Sequence, residues 1–463
     1  MTIYFMIPFD KDILPEAKGT YIVGGTVRDL LLHRTPTDYD IAVTNDPENF
    51  AKKMALRTKG DVIKLGKPGQ TTLRVASGDK IFDITSLNGK SIEDDLKKRD
   101  FTINAMAYHV YSEKVIDCQG GLQDLADKKV RMVSRKIFIK DPVRLIRAYR
   151  IAAHLNFRIE SQTASTIKSD AKLIHTSAGE RVRVELFSML GTSKSYDYLS
   201  QMDNSGLLTE IFPDLAPLKG CLQNRHHLYD AFEHTMKAYD HLEILLNELK
   251  IVLPDTVTQI RQYVDKNRPA LMKCAILLHD IGKPLVKSTG SNGRTHFYGH
   301  ARKSADLARK ISRKLRFSNH EKQFIDCIIR NHMRPLFLFA AHEKKTITQK
   351  SITRFYKKCG DNTPALLLHA IADIKAKQNR TDQRNREFIS FLKKMIYDFF
   401  YRFKPRSNEP PLITGRDLIK VFGLSPSPLF KTILDLVDEA KLTDTIKDRT
   451  EALALVKEYL NSS

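Results

Sequence analysis

The 463-residue chain is 42% hydrophobic and carries 76 Lys and Arg against 54 Asp and Glu, a formal charge of +22. No apolar run approaches a membrane span, which excludes a helical integral membrane protein, and the length allows two to four domains. The positive excess favours a polyanionic partner, because each phosphate neutralised releases counterions, while five scattered cysteines without a CxxC pair argue against a disulfide framework or a cysteine zinc site and fit a reducing, cytoplasmic setting.

The apolar opening at residues 3–9 is short, lacks a basic lead and runs into acidic residues, so a signal peptide is not expected. From Thr20 onward, short β-rich runs alternate with helical spacing. Strands are expected at 21–23, 40–43, 62–65, 72–76, 81–85 and 105–110, and helices at 47–57 and 92–98, which describes a small α/β domain with a mixed sheet. The first strand ends in Gly24-Gly25-Thr26-Val27-Arg28-Asp29, and the second carries Asp38 and Asp40 at alternate positions. Alternate strand residues share a face, so these carboxylates converge beside a glycine turn that bares backbone N–H groups. Such a site suits a divalent metal and a phosphate chain. Taken singly, a GG pair is also an ordinary turn and a DxD a solvated strand end. Asp83 interrupts the otherwise apolar strand 81–85; it either shares the metal of Asp38 and Asp40 or faces water on an edge.

Lys98-Arg99-Asp100-Phe101-Thr102-Ile103-Asn104-Ala105-Met106-Ala107 then joins a charged helix end to a strand. Arg99 can pair with a triphosphate, Asp100 can accept from a ribose hydroxyl, and Asn104 can hydrogen-bond sugar or phosphate. GGTVRD, DYD and KRDFTINAMA, in this order, resemble the bacterial class II tRNA nucleotidyltransferase and poly(A) polymerase family. GGLQDL, starting at Gly120, is similar to that family's short connecting motif.

By the resemblance, Lys140-Asp141-Pro142-Val143-Arg144 opens a helix whose Asp141 and Arg144 read the Watson–Crick edge of the incoming nucleotide, with Arg147 one turn further along. As plain structure, Asp141 and Pro142 are also what any helix start shows. Two positions depart from the family pattern. Lys140 replaces a glutamate that could orient Arg144, and Lys98 replaces the first of two arginines, keeping charge but not the guanidinium fork. The connection 86–91 is shorter than the flexible loop of complete CCA-adding members. Within the family, loss of that loop accompanies enzymes that add two cytidines and stop, so the chain most resembles the CC-adding type.

Residues 150–215 have helical spacing, and Ser177 to Leu186 resembles the family's helix-turn element, where Glu180 and Arg181 are expected to tie helices together. Next comes a series of imidazoles and carboxylates: His226-His227 through His234, His279-Asp280, His300, His332 and Asp373. Such ligands on separate helices suit a divalent metal. The series resembles an HD phosphohydrolase domain, which implies that His234, His279, Asp280 and Asp373 hold one metal and that His300 and His332 extend the site toward a second. Residues 242–267 are expected to be a surface insertion. The aromatics of 397–403 are expected on a core face, and Leu412 to Leu418 is similar to the family's tail segment.

The expected architecture is therefore α+β. A polymerase-β-like nucleotidyltransferase head with a mixed sheet (1–130) precedes an all-α neck and RNA-binding region (131–215), an HD domain (216–376) and a helical tail (377–463). The resemblance implies Mg²⁺-dependent addition of C, and A in some members, to the 3′ end of tRNA from CTP or ATP. Asp38, Asp40 and Asp83 would be catalytic; Gly24, Gly25, Arg28, Arg99, Asp100, Asn104, Asp141, Arg144 and Arg147 would bind nucleotide; basic helical surface beyond Arg150 would hold the acceptor arm. A complete CCA-adding or A-adding enzyme, a poly(A) polymerase, a phosphohydrolase with a vestigial head and a non-catalytic RNA-binding regulator are the alternatives. No membrane partner is expected, and the sequence leaves oligomeric state open.

Overall fold

The computed structural model describes residues 11–15, 18–67, 70–223, 229–264, 268–291, 294–377 and 383–462. The apolar residues 3–9 and the opening 226–228 of the histidine series lie outside them. The chain divides into two compact units, Met1–Ile211 and Phe212–Ser463.

The first unit is built on a seven-stranded mixed sheet. In chain order its elements are β1 (Thr20–Val23), α1 (Gly25–Leu31), β2 (Asp38–Val43), α2 (Pro47–Thr58), β3 (Asp61–Lys67), β4 (Gln70–Ser77), β5 (Lys80–Ser86), α3 (Ile92–Leu96), β6 (Met106–His109) and β7 (Lys114–Asp117). The strand order is β3-β4-β5-β2-β1-β6-β7. Every expected strand and both expected helices are present, with ends shifted by a few residues; β7 is an added edge strand. Its pattern is only half-buried, so it lacks the apolar alternation that marks a strand in sequence. The pairing that matters most is β2 with β5, which is parallel and sets Asp40 opposite Asp83. Helix α2 has clear ends: Asp46 accepts from the N–H groups of Glu48 and Asn49, Pro47 occupies the first turn, and Lys59 closes it in a left-handed conformation.

Beyond the sheet come α4 (Gly121–Ala126), the short strand β8 (Lys129–Val130), α5 (Lys136–Lys140), α6 (Arg144–Leu155), β9 (Arg158–Ile159), α7 (Ser161–Asp170), α8 (Gly179–Leu190), α9 (Ser195–Asn204) and α10 (Leu207–Ile211). Asp141 does not open a helix by capping it. It ends α5, and α6 starts three residues later with no side-chain cap.

The second unit is helical: α11 (Ala231–Asn247), α12 (Leu249–Val252), α13 (Val257–Val264), α14 (Arg268–Leu278), a two-strand ribbon of β10 (Ser288–Thr289) and β11 (Thr295–His296), α15 (His300–Lys314), α16 (Asn319–Asn331), α17 (Arg334–Glu343), α18 (Gln349–Cys359), α19 (Thr363–Lys375), α20 (Gln383–Asp398), α21 (Lys404–Asn408), α22 (Gly415–Phe422), α23 (Pro428–Leu442) and α24 (Arg449–Ser462). Residues 242–264 are not a surface insertion. Leu242, Leu245, Leu249, Leu253 and Ile260 are all buried, because their spacing lays one apolar face along α11 to α13. Of the aromatics at 397–403, Phe399 is buried among Tyr356 and Phe403, whereas Tyr397 and Tyr401 stay exposed.

Candidate functional site

Among the described residues, one cleft in each unit gathers the residues singled out from sequence. In the first, of about 530 Å³, the lining gathers Gly24, Gly25, Arg28, Asp38, Asp40, Asp83, Arg99, Asp100, Asn104, Arg144 and Arg147. Eleven of the twelve expected head-site residues thus converge on one cavity, so the dispersed carboxylates that would have supported a vestigial head are not found. The twelfth, Asp141, lies just behind Arg144, at 3.6 Å.

The turn that starts this site requires glycine. Gly24 has φ 72°, and a Cβ there would sit 2.7 Å from Arg99 Nη1 and 3.2 Å from Asp40 Oδ2. Thr26, buried in the first turn of α1, staples the turn to β2: its Oγ1 accepts from the Asp40 N–H at 2.9 Å and donates to the Asp38 carbonyl at 3.3 Å. The sequence reading did not single it out, although a Thr just inside a GG turn is the signal.

The three carboxylates differ. Asp38 is exposed, while Asp40 is half-buried. Burial raises the Asp40 carboxyl to about 6; Arg99 opposes that shift, and the Asp83 and Asp38 charges add to it. Crowded anionic oxygens at a strand end fit a divalent cation. Asp83 is already held, since Arg74 on β4 donates Nε and Nη2 to its two oxygens, both at 2.8 Å. Arg74 was missed because a single cation in a β-rich run reads as a solvent-facing residue.

Asp100 and Asn104 line the cleft and also hold its arginines. The Asn104 amide accepts from Arg28 Nη1 at 2.7 Å and donates to Asp100 at 3.1 Å. Asp100 is buried, accepts from the Phe101 N–H, and receives Arg147 Nη1 at 3.2 Å. A buried carboxylate needs such donors, so both residues first serve to hold Arg28 and Arg147. Arg28 is also gripped by Asp29 at 2.8–2.9 Å. Glu185, buried in the apolar face of α8, ties Arg147 at 2.8 Å and Arg150 at 2.5 Å. A lone glutamate among Val182, Leu186 and Met189 was the available signal.

Arg181 closes the set. Its two Nη atoms donate to the two oxygens of Asp141 at 2.9 and 2.8 Å. Burial pulls the Asp141 carboxyl upward, but the Arg181 guanidinium prevails and leaves it below its ordinary value. Arg144 Nε and Nη1 are buried with no hydrogen-bond partner. The Arg144 guanidinium interacts with the charges of Asp141, 3.6 Å from Nε, and of the buried Asp100.

The second cleft, of about 960 Å³, contains the histidine series. His234 Nε2 lies 2.8 Å from Asp373 Oδ1, His279 Nε2 lies 3.0 Å from Asp280 Oδ2, and the Nε2 atoms of His300 and His332 are 3.1 Å apart. The ligand atoms form two overlapping groups, His234-His279-Asp280 and Asp280-His300-His332, with Asp280 common to both. This buried His and carboxylate donor set fits divalent metal. All six expected residues are brought together. Burial opposes protonation of His279, yet the Asp280 and Asp373 carboxylates raise it to about 10. Burial and the neighbouring His279 and His300 charges push His332 down. Gly282 admits the His300 turn, since a Cβ there would meet Ser304 N at 2.5 Å and His300 O at 2.8 Å. Lys283, 2.5 Å from Asp280, and the buried His369, whose ring centre lies 5.0 Å from that of His279, complete the cluster. Neither was assigned from sequence; His369 sits one turn before Asp373 on α19, which was the clue.

A mixed-sheet head with paired strand-end carboxylates defines a nucleotidyltransferase, and the helical unit defines an HD-type metal domain. The Poly A polymerase head domain matches residues 20–131, the probable RNA and SrmB-binding site of polymerase A matches 156–219, and the HD domain matches 231–390. An A-adding tRNA nucleotidyltransferase of Deinococcus radiodurans is 29% identical over 96% of each chain. A CC-adding tRNA nucleotidyltransferase of Thermus thermophilus is 28% identical over 95% of this chain and 93% of its own. A Multifunctional CCA protein of Nitrosococcus oceani is 31% identical over 64% of this chain and 70% of its own. The Thermotoga maritima CCA-adding enzyme, solved in complex with tRNA, shares the fold with a TM-score of 0.63 at 20% identity, covering 95% of this chain and 91% of that one. The chain belongs to the bacterial tRNA nucleotidyltransferase and poly(A) polymerase family, with an HD domain, and is a nucleotidyltransferase. Among the described residues no helix is long and apolar enough to cross a membrane.

Proposed function

We propose that this cytoplasmic enzyme adds two cytidines from CTP to the 3′ end of immature or damaged tRNA and stops. The observation that carries the CC reading is the connection between β5 and α3. It is only residues 87–91, Asn88 N–H donates to Asp95 at 2.9 Å, Lys98 donates to the Asn88 carbonyl, and Ser91 caps α3. A connection this short and this tied down leaves no flexible loop to reshape the pocket for ATP. The relatives named for A addition and for CC addition make A addition the alternative.

Asp38 and Asp40 would hold Mg²⁺, with Asp83 restrained by Arg74 as the third carboxylate. When bound, the ions activate the tRNA 3′-hydroxyl and neutralise the departing pyrophosphate. Around them, the Gly25 backbone, Arg28 and Arg99 cradle the triphosphate, held in place by Asn104, Asp29 and Asp95. Asp141 and Arg144 select the base, Asp141 accepting from an amino group and Arg144 donating to ring or carbonyl acceptors. Arg147, fixed by Asp100 and Glu185, stands at the cleft wall. The HD centre would hold divalent metal at His234, His279, Asp280 and Asp373, with His300 and His332 extending it. Its two ligand groups sharing Asp280 favour a second, hydrolytic activity on phosphate esters. The domain limits proposed are 1–130, 131–215, 216–376 and 377–463.

The test uses tRNA transcripts ending before CCA, after C and after CC, each with CTP, ATP or both. The CC reading expects two, one and no additions, all from CTP. Addition of A to the CC-ending transcript overturns it.

A further inference from the structure

The stretch matching the RNA-binding family, residues 156–219, holds 7 Lys and Arg against 8 Asp and Glu, a net −1. The positive excess of the chain therefore does not lie in this segment. Residues 301–406 hold 26 Lys and Arg against 9 Asp and Glu, a net +17, which is most of the chain's +22. RNA affinity is dominated by phosphate neutralisation, so the location of that excess is informative.

Not all of it is available. On α18, Lys350 and Arg354 pair with Glu439, and Lys357 pairs with Asp438, so these charges are spent on α23. Helix α15 differs. Its inward face is His300, Ser304, Ala305, Ala308, Ile311 and Ser312, all buried. Its outward face exposes Arg302, Lys303, Lys310, Arg313, Lys314 and, just past its end, Arg316. Among the described residues, none of these six pairs with a carboxylate; on this helix Arg309 takes Asp306 and Asp326 instead. Lys303, Lys310 and Lys314 are spaced seven and four apart, so they stand in one row along about three turns of helix. A row of unpaired cations over about 16 Å matches the repeating phosphates of an RNA backbone.

We infer that the outward face of α15 is an electrostatic docking surface for the tRNA backbone, a contact outside the segment that matches the RNA-binding family. This rests on the tRNA-extension reading above. Because the contact is with phosphates, it adds affinity and orientation without sequence selectivity.

The test is the full-length triple variant Lys303→Glu, Lys310→Glu, Lys314→Glu, with Lys303→Gln, Lys310→Gln, Lys314→Gln as a milder second. Binding of a tRNA transcript is measured across salt concentrations, alongside C addition to the same transcript. The inference expects tRNA binding at least roughly tenfold weaker at moderate salt. It also expects a salt slope shallower by about 2 to 3 for the Glu variant and a smaller drop of the same sign for Gln. C addition at saturating tRNA should be retained, which shows that the head is folded and active. Wild-type affinity and slope in both variants would overturn the inference, as would loss of binding to anionic phospholipid vesicles with tRNA binding unchanged. Failure of the wild-type enzyme to add C at all would instead overturn the transferase reading, so the two failures are distinguishable.

Discussion

At the scale of single residues, the metal-binding role proposed for Asp40 is set against folding stability. Its carboxyl is raised from 3.8 to about 6 by burial. The folded chain therefore binds that proton more tightly than the unfolded chain, and the cost of ionising Asp40 is absent below about pH 3.8 and complete above about pH 6. A shift of this size corresponds to roughly 2–3 kcal/mol. Asp40→Asn should raise the metal-free melting temperature by a few degrees near neutral pH, with the gain shrinking toward pH 5, while nucleotide addition is lost. Calorimetry at the two pH values checks the first part and an extension assay the second. For the same reason divalent metal must displace a proton below about pH 6, so metal affinity at the head should weaken as pH falls through that value.

Arg181 is the other residue whose role the geometry redefines. Lys140 removes the glutamate that could have oriented Arg144, and the bidentate Arg181–Asp141 pair supplies rigidity from another helix. Arg181→Gln should lower kcat/KM for CTP by roughly tenfold, about 1.4 kcal/mol, and narrow the CTP-to-ATP preference. Arg181→Lys should rescue little, since an ammonium cannot reproduce the fork. Equal losses for both nucleotides would assign Arg181 to helix packing alone.

At the scale of elements, what was legible followed from period and punctuation. The GG turn, the DxD strand and the apolar runs placed six strands and the carboxylate pair, because alternation and glycine act locally. Partners across the sheet were not legible: Arg74 meets Asp83 only because β4 and β5 pair in one register. Asp100 and Asn104 were legible as site residues from their motif, but their pairing with Arg147 and Arg28 was not, and Glu185 has an ordinary sequence context that burial turns into an anchor for Arg147 and Arg150. The core role of 242–264 was obscured by its polar residues, such as Glu243, whose charge is met internally by Lys273 at 2.6 Å. The histidine series was readable because unlike helices contributed like chemistry. Its metal should stabilise the second unit by mass action. Removing it with a chelator should lower the melting of that unit, and Zn²⁺ or Mn²⁺ should restore it. A chelator-insensitive transition would contradict the metal assignment.

At the scale of the whole molecule, two compact units carry separate chemistries, and charge is divided unevenly between them. The head concentrates mixed charge around a transfer cleft, whereas the HD unit holds both a buried metal donor set and the excess of exposed cations. We propose that transfer resides in the head carboxylates and is independent of the HD centre. The most direct measurement compares C addition to a tRNA transcript lacking CCA by the wild-type enzyme, Asp40→Ala and Asp373→Asn, with tRNA binding measured in parallel. Asp40→Ala should bind tRNA and add nothing, while Asp373→Asn should add two cytidines at close to the wild-type rate. Substantial addition by Asp40→Ala, or its loss in Asp373→Asn with tRNA binding intact, would contradict it.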